Sequence, residues 1–592
     1  MLHAHRVPSG TAECGRGVAR FLSPLRGWGA FLSVPSDKSL GYFRVSLRDK
    51  NRDNRSHRAW RGPQARRIDT MFRRNSMHLT TSLTSPPAST SKQFDWPLAY
   101  EAEELLRQRI GAFLERNSFA RQLSERMRSE TGTDFFEWID HIILPAGEET
   151  ALRNVGFVPV EGVDVHGGET VFSHPRATLP CVRLQFGVPP SGGKAPGNTA
   201  NPGNTDSFAR AGTLPAKAGT PYSEDRSVSL PLVIALRPEH IADFKARQNL
   251  VGEIEGAPQS RYRRLLVSEE NACRLEAIER RAYRGYVRAP LKAGELEGIL
   301  KIRELWKTRR RAFPHDTQGF EFANRLLDQS IPQIGRDLTC QIFFEEERAY
   351  WESRNRAGRV QKFRQDALGL GWGNHDHHTF RCSREHFVDL IEILLKLGFE
   401  KRERYYAGAE AGWGAQILEQ ATTGIVVFAD VDLMPDETQI DFSISRLPPA
   451  PRLGTVGVWV GLHGESFLNA GMHHLEARFD YQLLREQLKA EGVNTMNPFS
   501  NFEFLRQAFT EGERWPVQRA RAERLLAANL ITVEQFEKFT TEGAIGSHLE
   551  NLQRHGGFKG FNQKSVSVVI AATDPRKSHF ESPQGRLAET AA

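Results

Sequence analysis

From Leu98 onward the apolar positions recur at helical spacing, with Leu106, Ile110, Phe113 and Leu114 at i, i+4, i+7 and i+8. The period then shortens. "FFEWIDHIILP", "NVGFVPVEG", "ETVFSHPRA" and "LPCVRLQFG" read as strands, with a short helix after the first, and "VSLPLVIAL" resumes as another. Residues 239–370 read as mostly helical and highly charged. Beyond Trp372 the pattern is strand, helix, strand, strand, strand: "HHTFRC", then "EHFVDLIEILLKL", whose Phe387, Leu390, Ile391, Leu394 and Leu395 form one apolar stripe, then "LGFEKRERYYAG", "GWGAQILEQ" and "TGIVVFADVDL". A second copy opens with "AGMHHLEARF" and the helix "YQLLREQLKAEGV". Residues 494–545 read as a helical insertion, and "KGFNQKSVSVVIAA" as a closing buried strand. Strands that carry a histidine and feed a helix ending in Gly-Phe or Gly-Val imply an internally repeated βαβββ unit.

This gives an α/β (α+β) chain of repeated βαβββ modules with helical insertions. Residues 1–90 are a basic leader, and 91–240 hold a helix and a degenerate module. Residues 241–370 form a charged helical region, and 371–580 a pair of modules. Residues 187–227, rich in Gly, Pro, Asn and Thr, read as a disordered insertion too poor in large apolar groups to offset its ordering entropy.

Charge changes the picture more than composition does. The net charge is +7, but residues 1–76 hold 16 Lys+Arg against 5 Asp+Glu, which leaves the body at −4. The basic pI therefore belongs to the leader, and a nucleic-acid partner is not expected. The basic segment "KIRELWKTRRRAF" reads as a solvated helix face, since its aromatics are not spaced for base stacking. The leader has three readings: a transit peptide, a disordered basic arm, or an over-extended gene start with Met71 or Met77 as the true first residue. The expected location is cytoplasmic, or organellar if the leader is a transit peptide. The five cysteines, Cys14, Cys181, Cys273, Cys340 and Cys382, form no CxxC pair, which argues for a reducing compartment. There is no run of eighteen apolar residues, so no membrane partner is expected.

The chemistry concentrates in the two module openings. His377 and Arg381 are four residues apart on a strand and so share a face; His474 and Arg478 repeat that spacing. If the modules pair about a pseudo-twofold axis, the two imidazoles converge. With one carboxylate they make a two-His, one-carboxylate metal face with open positions, and the arginines are placed to grip a substrate carboxylate. Glu550 and Glu476 compete as that carboxylate, with Glu410 and Glu419 behind them. His375, His378 and His473 read as flanking or solvent-facing. His141 reads as a structural echo, because Pro145 stands where an arginine would complete the motif.

Modules of this kind resemble the vicinal-oxygen-chelate superfamily. "HHTFR", "LGFEKRERYYAG", "HLEAR" and "GSHLENLQRHGG" are more closely similar to motifs of the 2-oxoadipate dioxygenase/decarboxylase family, over residues 372–563. That resemblance implies Fe(II) on His377, His474 and Glu550, Arg381 on the carboxylate of a 2-oxo acid, and dioxygen as co-substrate. The spacing from Gly-Ser-His to the glutamate is shorter than in the family, and one glutamate remains where the family has two. The alternatives are a glyoxalase-like lyase or isomerase using another divalent metal, and a metal-free ligand-binding member.

Overall fold

The computed structural model describes residues 96–165, 167–185, 231–409, 411–562 and 573–576. The leader, the 187–227 insertion, Glu410 and most of the closing strand read at 559–572 lie outside the described residues.

Helices α1 (Tyr100–Arg116) and α2 (Ser118–Arg126) lead into a seven-stranded sheet. Its strands are β1 (Ile139–Pro145), β2 (Val158–Pro159), β3 (Glu169–Ser173), β4 (Cys181–Gln185), β5 (Leu232–Leu236), β6 (Tyr262–Glu270) and β7 (Cys273–Arg280), in the order β2-β3-β4-β1-β5-β7-β6. Parallel neighbours need a crossover. Helix α3 (Glu149–Asn154) follows β1 in the connection to its parallel partner β4, and α4 (Ile241–Arg247) follows β5 in the connection to β7. Four helices come next: α5 (Glu295–Lys307), α6 (Asp316–Ile334), α7 (Arg336–Ser353) and α8 (Arg356–Ala367).

The second, nine-stranded sheet begins with β8 (His375–Cys382), α9 (Phe387–Lys396), β9 (Glu400–Tyr406), β10 (Trp413–Gln420) and β11 (Ile425–Asp432). Helix α10 (Thr455–His463) leads to β12 (His474–Arg478), α11 (Tyr481–Ala490), β13 (Ser500–Phe502), β14 (Leu505–Phe509), β15 (Glu513–Trp515), α12 (Arg519–Ala527), α13 (Val533–Glu542) and β16 (Ala544–Arg554). The order is β13-β14-β16-β12-β8-β11-β10-β9, with β15 on β16. Strand β8 is parallel to β11, β12 is parallel to β16, and β8 and β12 meet antiparallel at the centre.

The two faces of this sheet are unlike. Phe380, Cys382, Val427, Ala429, Leu475, Ala477 and Leu549 point into the largest core, packed on α5, α6, α7 and α9. On the opposite face, side chains from β9 and from β14, strands near opposite ends of the sheet, line one cavity. That requires the sheet to curl round it.

Three expectations are corrected. Residues 241–370 are not all helical, because β6 and β7 complete the first sheet there; cross-strand pairs such as Arg263–Glu279 and Arg264–Glu276 account for the charge. Residues 494–545 contain β13, β14 and β15 as well as α12 and α13, and among the described residues β16 is the last strand of the second sheet. Leu395, at the edge of the α9 stripe, is 40% exposed.

Gly546 on β16 leaves room for the Trp515 indole; a Cβ there would lie 2.0 Å from the ring. Trp515 packs on Trp459, whose Nε1 donates to the Gly546 carbonyl. Gly546→Ala is expected to lower stability by about 1–3 kcal/mol through overpacking, read as a lower midpoint in chemical denaturation; an unchanged midpoint would contradict this packing.

Candidate metal centre

Register alone assembles the site. Across the central strands, Glu476 on β12 lies opposite His377 on β8 and opposite Glu550 on β16. One step along, His474 lies opposite Thr379 and His548. Paired residues share a face, so His377, His474, Glu476 and Glu550 all line the same cavity. Its volume is about 60 Å³, space for roughly four water-sized groups.

Ligand atoms of His377, Glu476 and Glu550 lie within 4.8 Å of one another. Glu476 Oε1 is 3.3 Å from His377 Nε2 and 2.5 Å from His474 Nε2, and His474 Nε2 is 4.0 Å from Glu550 Oε2. All four side chains are less than 10% exposed. The Thr379 hydroxyl donates to Glu476 Oε1, and Gln507 Nε2 donates to Glu550 Oε1. Glu476 Oε2 and His474 Nδ1 have no hydrogen-bond partner.

The histidines are held neutral. Burial lowers both, His474 well below its ordinary value. Although burial alone would raise Asp376, the Arg554 guanidinium and His377 hold it well below the usual carboxylate range. Arg554 grips both Asp376 oxygens, at 3.2 and 3.1 Å. Ionised Asp376 can only accept, so the 2.9 Å contact to His377 Nδ1 places the ring proton there. The Nε2 lone pair then faces the cavity, the arrangement by which outer carboxylates orient metal-binding imidazoles.

Burial, reinforced by the Glu550 charge, raises Glu476 well above a normal glutamic acid. Burial also raises Glu550, against the hydrogen bond it accepts from Gln507. Two such carboxyls need a proton or a cation between them. Among the described residues no Lys or Arg forms an ion pair with either.

The first sheet has the same opening with a different solution. His141 Nδ1 contacts Asp140 Oδ2 at 2.8 Å, and Arg280 grips Asp140 as Arg554 grips Asp376. But His141 Nε2 receives a hydrogen bond from Arg183 at 3.0 Å, and Arg183 also pairs with Glu169. A guanidinium fills the place of a cation. His141 is thus an internally neutralised echo, and the second sheet has no such arginine among the described residues.

Of the two arginines, Arg381 lines the cavity, 3% exposed, with Nε and Nη1 unpartnered among the described residues. Burial lowers Arg381 to about 10, so it is charged at neutral pH, and burial raises neighbouring Asp430 to about 8. Arg478 is not brought to the cavity. The strand pairing slips between Glu476 and Ala477, and Arg478 bonds Glu137 at 3.2 Å and approaches Asp376 at 3.8 Å. Glu419 pairs with Lys559 and Arg402 away from the site. His378 and His473 are buried rather than solvent-facing: His378 lies against Phe344, and His473 Nδ1 contacts the Gly546 carbonyl. His375 contacts the Trp372 carbonyl through Nδ1.

The pattern reading missed Asp376, Thr379, Gln507 and Asp430, and the aromatic wall of Tyr405, Trp413, Phe428, Phe499, Phe509 and Phe561. One signal was present: the Asp-His pair occurs at the start of both sheets.

No protein-family model matches the chain, and no curated protein matches it. Among solved structures, a mutant 4-hydroxymandelate synthase from Streptomyces coelicolor is similar over 74% of this chain and 99% of its own, at 13% identity and a TM-score of 0.22. Methylmalonyl-CoA epimerase from Mycobacterium tuberculosis is similar over 31% of this chain and 88% of its own, at 13% identity and a TM-score of 0.18. The uncharacterized protein YdcJ from Shigella flexneri, which includes domain DUF1338, is similar over 43% and 73%, at 13% identity and a TM-score of 0.18. At scores of this size none of them assigns the chain to a family. No helix among the described residues is long and apolar enough to cross a membrane.

Asp376→Asn keeps the side-chain shape but removes the charge that orders His377. It is expected to weaken divalent-metal binding about 10–100-fold, read by titration in metal-buffered solution; wild-type affinity in the variant would contradict this orienting role.

Proposed function

We propose that the chain is a non-haem Fe(II) dioxygenase that decarboxylates a 2-oxo acid such as 2-oxoadipate. We read β8–α9–β9–β10–β11 and β12–α11–β13–β14–β16 as two copies of one βαβββ unit, in a vicinal-oxygen-chelate-like arrangement. The observation that carries the proposal is the convergence of two neutral imidazoles and a buried carboxylate pair on a cavity with an unpaired arginine.

The donors fit a divalent metal. Imidazole nitrogens and carboxylate oxygens, with no cysteine among the described residues lining the cavity, suit Fe(II), Mn(II) or Zn(II) rather than a thiophilic ion. His377, His474 and Glu550 are the proposed ligands, with Glu476 the competing carboxylate. Fe(II) held there supplies open positions at which a 2-oxo acid and dioxygen meet. The remaining work falls to the chain. Arg381 binds the substrate carboxylate, and because Asp430 is protonated at neutral pH the guanidinium charge stays available. The aromatic wall excludes water, and the unpartnered Tyr405 hydroxyl and Trp413 Nε1 offer hydrogen bonds to the rest of the acid.

A second reading has one observation in its favour. Glu476 is a second carboxylate beside the proposed ligands, and proton abstraction next to a carbonyl needs such a base. That supports a divalent-metal lyase or isomerase.

Chain reconstituted with Fe(II) without oxygen, then given 2-oxo acids and dioxygen, is expected to release about one carbon dioxide per dioxygen consumed. Metal retention without oxygen uptake, together with solvent-hydrogen exchange into the substrate, would move the assignment to the isomerase. Arg381→Met is expected to raise KM for the acid roughly 10–100-fold with metal content unchanged; an unaltered KM would remove Arg381 from substrate binding.

A further inference from the structure

Away from the metal centre, three adjoining cavities of about 160, 200 and 40 Å³ lie where the first sheet meets the β10–β11 turn and the start of β8. They share no lining residue with the metal cavity. Arg237, just past the end of β5, lines all three. Its backbone N–H donates to the Trp138 carbonyl, but its half-buried side chain forms no ion pair or hydrogen bond among the described residues.

The carboxylates that line these cavities are already taken. Asp140 is gripped by Arg280 at 2.9 and 3.0 Å and contacted by His141. Glu137 pairs with Arg478 at 3.2 Å. Glu239 pairs with Arg348 at 3.5 Å and accepts from the Trp372 N–H at 2.9 Å. Glu345 pairs with Arg303 at 2.5 Å. Arg284, exposed at the rim of the first cavity, also has no ion pair among the described residues. Burial, with the nearby charges of Arg280, Arg348 and Arg478, outweighs the attraction of Asp140 and holds Arg237 below the ordinary arginine value.

A guanidinium carries five donors and no acceptor, and a partly buried one without a counter-ion is costly. The cavities hold the space and an excess of positive charge. We propose that they form a second binding site, specific for a small oxyanion, carboxylate or phosphate, held by Arg237 with Arg284 at its mouth. Val160, Val163 and Val171 also line the first cavity, which suits an organic acid or phosphate ester with a short apolar body. The site does not depend on the metal reading.

Calorimetric titration of the full chain with inorganic phosphate and, separately, with acetate, at constant ionic strength, tests it. Saturable binding that depends on Arg237 is expected in wild type and in His377→Ala, because the metal cavity is separate. Arg237→Gln is expected to weaken it roughly 10–100-fold, and Arg237→Lys less. In buffer without either anion, Arg237→Gln is expected to melt no lower than wild type, since it removes an uncompensated charge. If that variant does not fold, Arg284→Gln, at an exposed position, tests the same cavity and is expected to weaken binding several-fold. Tighter binding of phosphate assigns a phosphate ligand, and tighter binding of acetate a carboxylate. No saturable binding of either anion by wild type, undiminished binding by the glutamine variants, or binding lost in His377→Ala would overturn the proposal. So would a lower melting temperature of Arg237→Gln without anion, which would make Arg237 a structural cation.

Discussion

Two buried carboxyl groups, Glu476 and Glu550, lie opposite each other on adjacent strands, with two imidazoles beside them and no paired Lys or Arg among the described residues. Both carboxyls are buried away from bulk solvent, so the pair must hold a proton or a cation. The neighbouring features are consistent with a cation. His377 presents a lone pair at Nε2 because Asp376 accepts a hydrogen bond from its Nδ1–H; Asp376 stays ionised because Arg554 grips it; Thr379 and Gln507 each hold one carboxylate oxygen.

The first sheet supplies an internal comparison. It begins with the same Asp-His pair, with an arginine on the aspartate, yet Arg183 contacts the free histidine nitrogen and pairs with a glutamate. One chain thus holds two answers to one electrostatic problem. In one sheet the positive charge is covalently part of the protein, and in the other it has to come from outside. Arg381 lines the same cavity, charged and unpaired among the described residues, with no ion pair to either glutamate; on the proposed function it holds an anionic substrate.

Much of this arrangement was legible along the chain, and the reasons for the rest are physical. Even spacing on a strand puts His377 with Arg381, and His474 with Glu476, on common faces, and the helix after each strand marks the parallel crossover. Arg478 keeps the regular pairing of β12 with β16 but is held by Glu137 and Asp376 outside the cavity, contacts that spacing does not encode. The aromatic wall comes from β9, β10, β11 and β14 and from Phe499 and Phe561 outside the strands, brought together by the curl of the sheet and its connections, which is a tertiary outcome. Strands β6 and β7 read as helix because alternating Arg and Glu satisfy each other across the pair as well as along a helix face. Asp376 was visible as an Asp-His doublet repeated at Asp140, a signal that gains meaning once both are seen to be gripped by arginines.

The central claim is that the carboxylate pair is built for a cation, and elemental analysis of the chain purified without oxygen tests it most directly. The account predicts about one divalent metal ion per chain, iron on the proposed function, lost when His377 or Glu550 is replaced. A chain that retains no divalent metal even after reconstitution, with Glu476 and Glu550 sharing a proton at neutral pH, would contradict it.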